Sequence, residues 1–345
     1  MVFSKNIISW YKINHRKLPW RETKNPYYIL VSEFMLQQTK VCKTIKYYYN
    51  FIKKFPSLEK LAKSKEKDIL KEWEGLGYYE RAINLHSFSK RLKEKSIIFP
   101  KKYKELILYK GIGPYTGAAI ASICFNEVIP AIDVNVIRVI SRYLGIYTNI
   151  RSNVTKNILK IFLLKIIDKN HPGIFNQAIM DLGAILCTTK KTKCFFCPLK
   201  TSCFSFKNGT VYKFPIKNNI ITKKNRFFYY IFINDQYKNI CIHKRYKKDI
   251  WKGLYDFPLI EYNKKLTFQK IKENFYKKFR VKINTILYQK KHQLTHQNLY
   301  IQFLNCEILK KNKKKYFKNY FFISYKKIKE YPFPSPIVFF LKKMI

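Results

Sequence analysis

Four of the eight cysteines crowd into seventeen residues: Cys187, Cys194, Cys197 and Cys203, with gaps of six, two and five. Thiolates are soft ligands, and four on so short a loop can close around one centre. Either a tetrahedral zinc ion or an iron–sulfur cube would suit them. Four unrelated core cysteines are the bland alternative. Lys190, Lys191, Lys193 and Lys200 flank the thiols, so a loop stapled by metal would also offer positive charge to a phosphate.

Two acids sit in apolar company. Glu33 lies within Ile29-Leu30-Val31-Ser32-Glu33-Phe34-Met35-Leu36-Gln37-Gln38-Thr39, and Asp133 within Ala131-Ile132-Asp133-Val134-Asn135-Val136-Ile137-Arg138-Val139. Each has an ordinary reading: Glu33 as a helix-surface glutamate, Asp133 as the N-cap of the helix it opens. Together they also supply what glycosidic bond cleavage needs. Burial raises one carboxyl's pKa until it can protonate a leaving group. The other stays ionised and faces a cationic, sugar-like transition state.

Between them in sequence runs Leu108-Tyr109-Lys110-Gly111-Ile112-Gly113-Pro114-Tyr115-Thr116-Gly117-Ala118-Ala119-Ile120, a helix end, a G-x-G turn and a helix start. Gly111 and Gly113 are expected to permit backbone geometry closed to other residues, and Pro114 suits the first helical position. The free N–H groups at that helix start are a ready phosphate site. An ordinary helix–turn–helix connection would look the same in isolation.

These groups must be held by a scaffold. Apolar residues recur at three- and four-residue spacing up to about Cys203, broken at Pro56, Gly75, Gly77, Pro100, Gly111, Gly113, Pro130, Gly145 and Pro172. The expectation is a helical domain over 1–207 with a metal loop at 187–203, then a linker at 208–225. A smaller α+β domain follows over 226–345, with strands at 227–233 and 240–242 and a helix near 267–279. With 47% hydrophobic residues, a chain of 345 can bury two cores. The net charge of +48 makes polyanions the leading partners. It comes from 59 Lys against 10 Arg, spread evenly, so much of it reflects composition rather than a DNA footprint. No apolar run reaches the roughly 18–20 residues of a membrane span, and no secretory leader opens the chain. A reducing, cytoplasmic setting and a monomer are expected.

The conjunction resembles the helix-hairpin-helix DNA glycosylase superfamily and, within it, the adenine DNA glycosylase (MutY) family. Leu18-Pro19-Trp20-Arg21, Ser32–Thr39, Gly75-Leu76-Gly77-Tyr78-Tyr79, the hairpin and the cysteine spacing fall in the family's order. The resemblance implies one 4Fe–4S cluster on Cys187, Cys194, Cys197 and Cys203, in place of zinc. It implies removal of adenine mispaired with 8-oxoguanine or guanine in double-stranded DNA. Glu33 then takes the general-acid position and Asp133 that of the carboxylate facing the oxocarbenium-like sugar, with Asn135 and Tyr115 in support. Arg16 falls beside the adenine pocket. Gln37, Gln38 and Tyr78 fall among the duplex contacts, and Gly111 and Gly113 on the phosphate.

Glycosylases that also nick the strand use a Schiff-base lysine where this chain has Tyr115. Four residues after Asp133 stands Ile137, where some adenine glycosylases have lysine, so a monofunctional enzyme is expected. The second domain resembles the family's Nudix-like module through Trp251-Lys252-Gly253-Leu254-Tyr255-Asp256-Phe257-Pro258. Its helix segment Gln269-Lys270-Ile271-Lys272-Glu273-Asn274 keeps a single carboxylate, so pyrophosphate hydrolysis is not expected. His292-Gln293-Leu294-Thr295-His296 stands where the family reads 8-oxoguanine, with Thr295 and His296 as contacts and Leu294 replacing an aromatic. Three rivals differ at identifiable residues. An endonuclease-III-like enzyme would want lysine at 115 and no second domain. A silent DNA-binding protein has no need of both acids. An electron-transfer role has only the four thiols behind it.

Overall fold

A computed structural model describes residues 2–217, 222–235, 237–308 and 316–344. Residues 218–221 of the expected linker lie outside this set. The chain forms two compact units: Met1–Lys63 with Asn84–Asn219, and Ser64–Ile83 with Ile220–Ile345. No helix among the described residues is long and apolar enough to cross a membrane.

Unit 1 is helical throughout. Its elements are α1 (Val2–Asn14), α2 (Pro26–Leu36), α3 (Val41–Lys54) and α4 (Leu58–Lys63), then, after α5 (Glu66–Glu72) of the other unit, α6 (Glu80–Glu94), which enters unit 1 at Asn84. They continue with α7 (Tyr103–Leu106), α8 (Pro114–Phe125), α9 (Val134–Leu144), α10 (Asn153–Ile166), α11 (Pro172–Ile185) and α12 (Phe204–Lys207). Local chemistry marks the ends. Proline occupies the first turn of α2, α8 and α11, where its missing N–H costs nothing. Asn25 caps α2 through its side chain, Ser152 caps α10, and Gly145 closes α9 in the left-handed region. α2 and α8 are apolar nearly all round, as helices at the centre of a bundle must be. Helix α11 packs against α1, α8 and α9, and α2 packs against α3 and α8. Gly183 permits the close approach of α11 to α9, since a Cβ there would stand 2.7 Å from Asn135 Cβ.

Unit 2 carries a four-stranded sheet in the order β4 (Leu259–Tyr262), β1 (Lys224–Phe232), β6 (Gln297–Ile308), β5 (Val281–Gln293). Strands β1 and β6 run parallel and the other pairs antiparallel. A second sheet orders β3 (Tyr255–Asp256), β2 (Asn239–Lys244) and β7 (Phe321–Ser324). The expected helix is α13 (Phe268–Phe279), capped by Thr267, with Ile271, Phe275 and Phe279 buried against the sheet. The sequence expectation omitted α14 (Ser335–Met344), whose Phe340 ring stacks on Phe303 at 4.1 Å between centroids. The architecture is an all-helical unit and an α+β unit built on two sheets.

Candidate active site and DNA-contact elements

Helices α2, α8 and α9 of unit 1 each deliver one group to a common point. Glu33 sits mid-α2 among residues excluded from water, and is itself only 6% exposed. Burial pushes its carboxyl up to about 7; the Tyr115 hydroxyl bond opposes this, the Asp133 charge adds to it, and the Arg21 charge opposes it. Oε2 of Glu33 is buried without a hydrogen-bond partner. Such an acid holds a proton near neutrality and has an open atom from which to give it.

Asp133 is the N-cap of α9. Its Oδ1 accepts from the Asn135 and Val136 backbone N–H groups at 2.9 and 2.7 Å, and its Oδ2 accepts from Asn135 Nδ2 at 2.6 Å. Burial raises its pKa, and these three donors with the Arg138 charge hold the rise in check. Tyr115, in the first turn of α8, is felt by both acids and bonds to Glu33, which with burial raises its phenol pKa. Its neutral O–H is therefore a donor throughout the physiological range. Tyr115 bonds to Glu33, and the Asp133 charge is felt by both, so α2, α8 and α9 bring these three groups near one another.

Arg21 is the cation of this site. Burial opposes its charge, but the bond and charge of Asp181 outweigh that and hold the guanidinium firmly protonated. Asp181, 0% exposed on α11, also accepts from Arg21 Nη2 at 2.8 Å, Arg16 Nε at 2.7 Å and Arg16 N at 3.0 Å. Arg16 and Arg21 line a cavity of about 380 Å³ with Leu18, Ile123, His171 and Gln177. The acids do not line it; Arg21 connects the two, since it borders the cavity and its charge reaches Glu33. The sequence expectation overlooked Asp181. Its signal was the one used for the other acids, a carboxylate inside an apolar run, Ile179-Met180-Asp181-Leu182-Gly183.

Behind Asp133, Arg138 ties α9 to the cysteine loop. Its Nη2 donates to Asn135 Oδ1 at 2.9 Å and Gly183 O at 2.6 Å, and its Nε to Cys187 O at 2.7 Å. One turn on, Arg142 Nη1 lies 3.3 Å from Cys187 Sγ and donates to Thr188 O at 2.7 Å. Burial pushes the Cys197 thiol up to about 12; the Leu199 N–H opposes this, and the charges of Cys187, Cys203 and Cys194 add to it. The four thiols thus face one another, all half-buried. Among the described residues no group of three or more His, Cys, Asp or Glu meets the spacing of a single-ion site.

The hairpin between α7 and α8 corrects one expectation. Gly111 does adopt φ +92°, and a Cβ there would lie 2.8 Å from Asn84 Cβ and 2.9 Å from Phe34 Cε1. Gly113 adopts φ −82°, ψ 177°, extended backbone open to any residue. A Cβ on Gly113 would meet nothing, so glycine there keeps the helix start bare rather than shaping the turn. Gln37 Nε2 donates to Gly111 O at 3.1 Å and Thr116 Oγ1 at 3.3 Å, bracing the hairpin from the end of α2. Gln38 beside it is exposed, with φ +57°.

Unit 2 holds the remaining candidates. Tyr78 is 42% exposed at φ +49°, directly after Gly77 at +89°. Arg81 fastens this turn: its Nη2 donates to Gly77 O at 2.7 Å, its Nε to Tyr78 O at 3.2 Å, and its guanidinium lies 5.5 Å from the Trp73 and Tyr78 ring centres. Thr295 and His296 form the tip of the β5–β6 hairpin, closed by Leu294 N–H to Gln297 O at 2.8 Å. The Tyr78 and Thr295 hydroxyls meet at 2.5 Å.

Residues 31–163 match the family model described as HhH-GPD superfamily base excision DNA repair protein, and residues 228–343 match that of the NUDIX domain. The adenine DNA glycosylase of Buchnera aphidicola subsp. Baizongia pistaciae is 41% identical over 307 residues, which is 87% of this chain and 85% of that protein. Its counterpart from Buchnera aphidicola subsp. Schizaphis graminum is 38% identical over 309 residues, 87% of this chain and 86% of that one. The chain belongs to the adenine DNA glycosylase family. Among solved structures, a thermostable thymine-DNA glycosylase superposes with a TM-score of 0.56 at 28% identity, covering 60% of this chain and 96% of that one. The chain is therefore an N-glycosylase of base excision repair, acting on adenine in DNA, with a Nudix-like second domain.

Proposed function

We propose that the enzyme hydrolyses the N-glycosidic bond of adenine opposite 8-oxoguanine or guanine, in a reducing, cytoplasmic compartment, and leaves the strand uncut. The observation that carries this is the pair Glu33 and Asp133: a buried acid protonated near pH 7 beside a carboxylate held by three N–H donors. Glu33 gives its proton to a ring nitrogen of the flipped adenine, turning the base into a neutral leaving group. Asp133 faces the sugar as positive charge grows on it, Asn135 keeps that carboxylate oriented, and water then adds to the sugar carbon as its proton passes to the ionised Glu33. Tyr115 positions Glu33. No amine stands at 115 or 137 to attack the sugar carbon, so β-elimination has no Schiff base to start from.

DNA contacts follow the same logic. The N–H groups at the start of α8, left bare by Gly113, take a backbone phosphate. Tyr78 fills the gap in the stack when adenine leaves it, with Gln38 beside the lesion, and Thr295 and His296 read the oxidised guanine. The cysteine set fits a 4Fe–4S cluster: four half-buried thiols on a loop that Arg138 and Arg142 bind through its backbone and one sulfur. When bound, the cluster would rigidify the loop; no step of base removal draws on its redox chemistry.

The test is a single-turnover assay on duplexes holding A opposite 8-oxoguanine, A opposite G, A opposite T and thymine glycol. Free adenine from the first two, with abasic DNA intact until alkali treatment, is expected. Strand breaks without alkali, or release from thymine glycol, would refute the proposal.

A further inference from the structure

Thr295 and His296 are exposed at the turn of the β5–β6 hairpin, so core packing does not fix them. A side chain that reads one base must be held within about 0.5 Å of its place. That hold has to come from the strand arms below the turn.

The start of β1 ties one arm at three consecutive residues. Lys224 N–H donates to His296 O at 3.2 Å, Arg226 Nη1 to Gln297 Oε1 at 3.1 Å, and Asn298 Nδ2 to Asn225 Oδ1 at 3.0 Å. Parallel pairing sets Lys224 beside Gln297 and Asn225 beside Asn298, which brings these groups within reach. The Arg226 tie differs from the other two, because it continues into the body of unit 2.

Arg226 has a side chain 14% exposed and bonds in three directions. Besides Gln297, its Nε donates to Glu261 Oε1 on β4 at 2.6 Å, and Nη1 and Nη2 donate to Asp249 Oδ1 and Oδ2 at 3.0 and 2.6 Å. Its guanidinium lies 5.0 Å from the Phe228 ring centre. A two-pronged grip on Asp249 fixes the plane of the guanidinium, which an ammonium group would not do. Asp249, between β2 and β3, also lies 3.5 Å from Arg245 Nη2, and Arg245 Nη1 donates to Asp256 Oδ2 at 2.6 Å. Asp256 is 0% exposed. A chain of ion pairs thus runs from a buried carboxylate to the first residue of β6, next to His296. Burial works against the Asp249 charge, but the Arg226 and Ile250 N–H bonds and the Arg226 and Arg245 charges hold its pKa below the usual range. The acids gripping Arg226 are 34% and 31% exposed, and ion pairs with partners so open to water add little to stability. What the network supplies is geometry.

We propose that Arg226 is a positioning residue for lesion recognition: through Gln297 it holds Thr295 and His296 where they meet the oxidised guanine. This rests on those two residues reading 8-oxoguanine.

Single-turnover adenine release is measured with the full-length protein at graded enzyme concentrations, on duplexes holding A opposite 8-oxoguanine and A opposite G. Arg226→Met keeps a stem over Phe228 and removes the donors; Gln297→Met removes the acceptor and leaves the ion pairs. Each is expected to raise the half-saturating enzyme concentration on the 8-oxoguanine duplex about tenfold, as for one lost charged hydrogen bond. The saturating rate and release opposite G should stay unchanged. The double variant should match Arg226→Met, since both changes break one path, and Gln297→Glu, which keeps an acceptor, should retain the preference. An unchanged preference in both Met variants, an equal loss on both duplexes, or losses that sum in the double variant overturns the proposal. Thermal melting accompanies each variant; if Arg226→Met melts early, Gln297→Met at the half-buried start of β6 decides. Thr295→Ala combined with His296→Ala separates this inference from the reading beneath it. If that pair leaves the preference intact, the reading of the tip falls and the role of Arg226 with it. If the pair loses the preference while the Met variants keep it, the role of Arg226 alone falls.

Discussion

If Glu33 must be protonated to start the reaction, excision should follow its titration. With a pKa of about 7, roughly half the enzyme is competent at pH 7, about nine-tenths at pH 6 and about one in eleven at pH 8. Single-turnover adenine release should therefore fall about tenfold from pH 6 to pH 8. It should fall again at acid pH, because Asp133 titrates above the usual aspartate range and loses its charge. The same proton appears in stability. Glu33 rises from its ordinary 4.5 to about 7 on folding, some 2.5 units, or about 3 kcal/mol at 1.36 kcal/mol per unit. The folded pKa is the higher one, so this contribution is fully present below about pH 4.5 and lost as pH rises through 7. Glu33→Gln cannot ionise and escapes that loss. The variant should thus be inactive yet melt higher than the parent at pH 8, with the two alike near pH 4. A release rate that stays level from pH 6 to pH 8.5, together with a Glu33→Gln variant no more stable at pH 8, would refute the assignment.

Asp133→Asn keeps the Oδ1 cap but sets an NH2 against Asn135 Nδ2, so melting is expected to fall by about 1–2 kcal/mol while release falls about a hundredfold or more; a loss of release no larger than the lost stability explains would make the residue merely structural. Gly183→Ala pushes a methyl to within 2.7 Å of Asn135 Cβ, and is expected to destabilise unit 1 by about 1–3 kcal/mol and slow release; melting and single-turnover rates check this together. Cys197→Ser should lower iron content and visible absorbance and weaken duplex binding. A variant that is iron-free, soluble and undiminished in DNA affinity would exclude a structural cluster on these thiols.

Much of the scaffold was legible because punctuation in the chain is local. Pro114 and Pro172 begin helices, Gly145 ends one and Thr267 caps another, each through its own backbone or side-chain chemistry. The groups that escaped notice act across the chain. Asp181 meets Arg16 and Arg21 from 160 or more residues away, and Arg138 reaches Gly183 and Cys187 across 45 and 49. Nothing in the sequence near an arginine says which distant carbonyl it will bind. Gly113 failed for the opposite reason: a glycine needed for what it leaves empty looks the same as one needed for its φ.

Asp133 shows where weighing rival readings misleads. As a helix cap and as a counter-charge to the sugar it looked like two residues competing for one position. One geometry serves the cap and suits the proposed counter-charge: the N–H groups that make Asp133 a cap are the donors that oppose the effect of burial on its charge. A carboxylate placed equally deep without a helix start beneath it would take up a proton more readily and lose its hold on a cationic sugar. The contrast with Glu33, mid-helix and with one oxygen unbonded, is then a matter of backbone position. The two acids differ in their hold on a proton because one opens a helix and is met by its N–H donors, while the other is carried inside one with an oxygen unbonded.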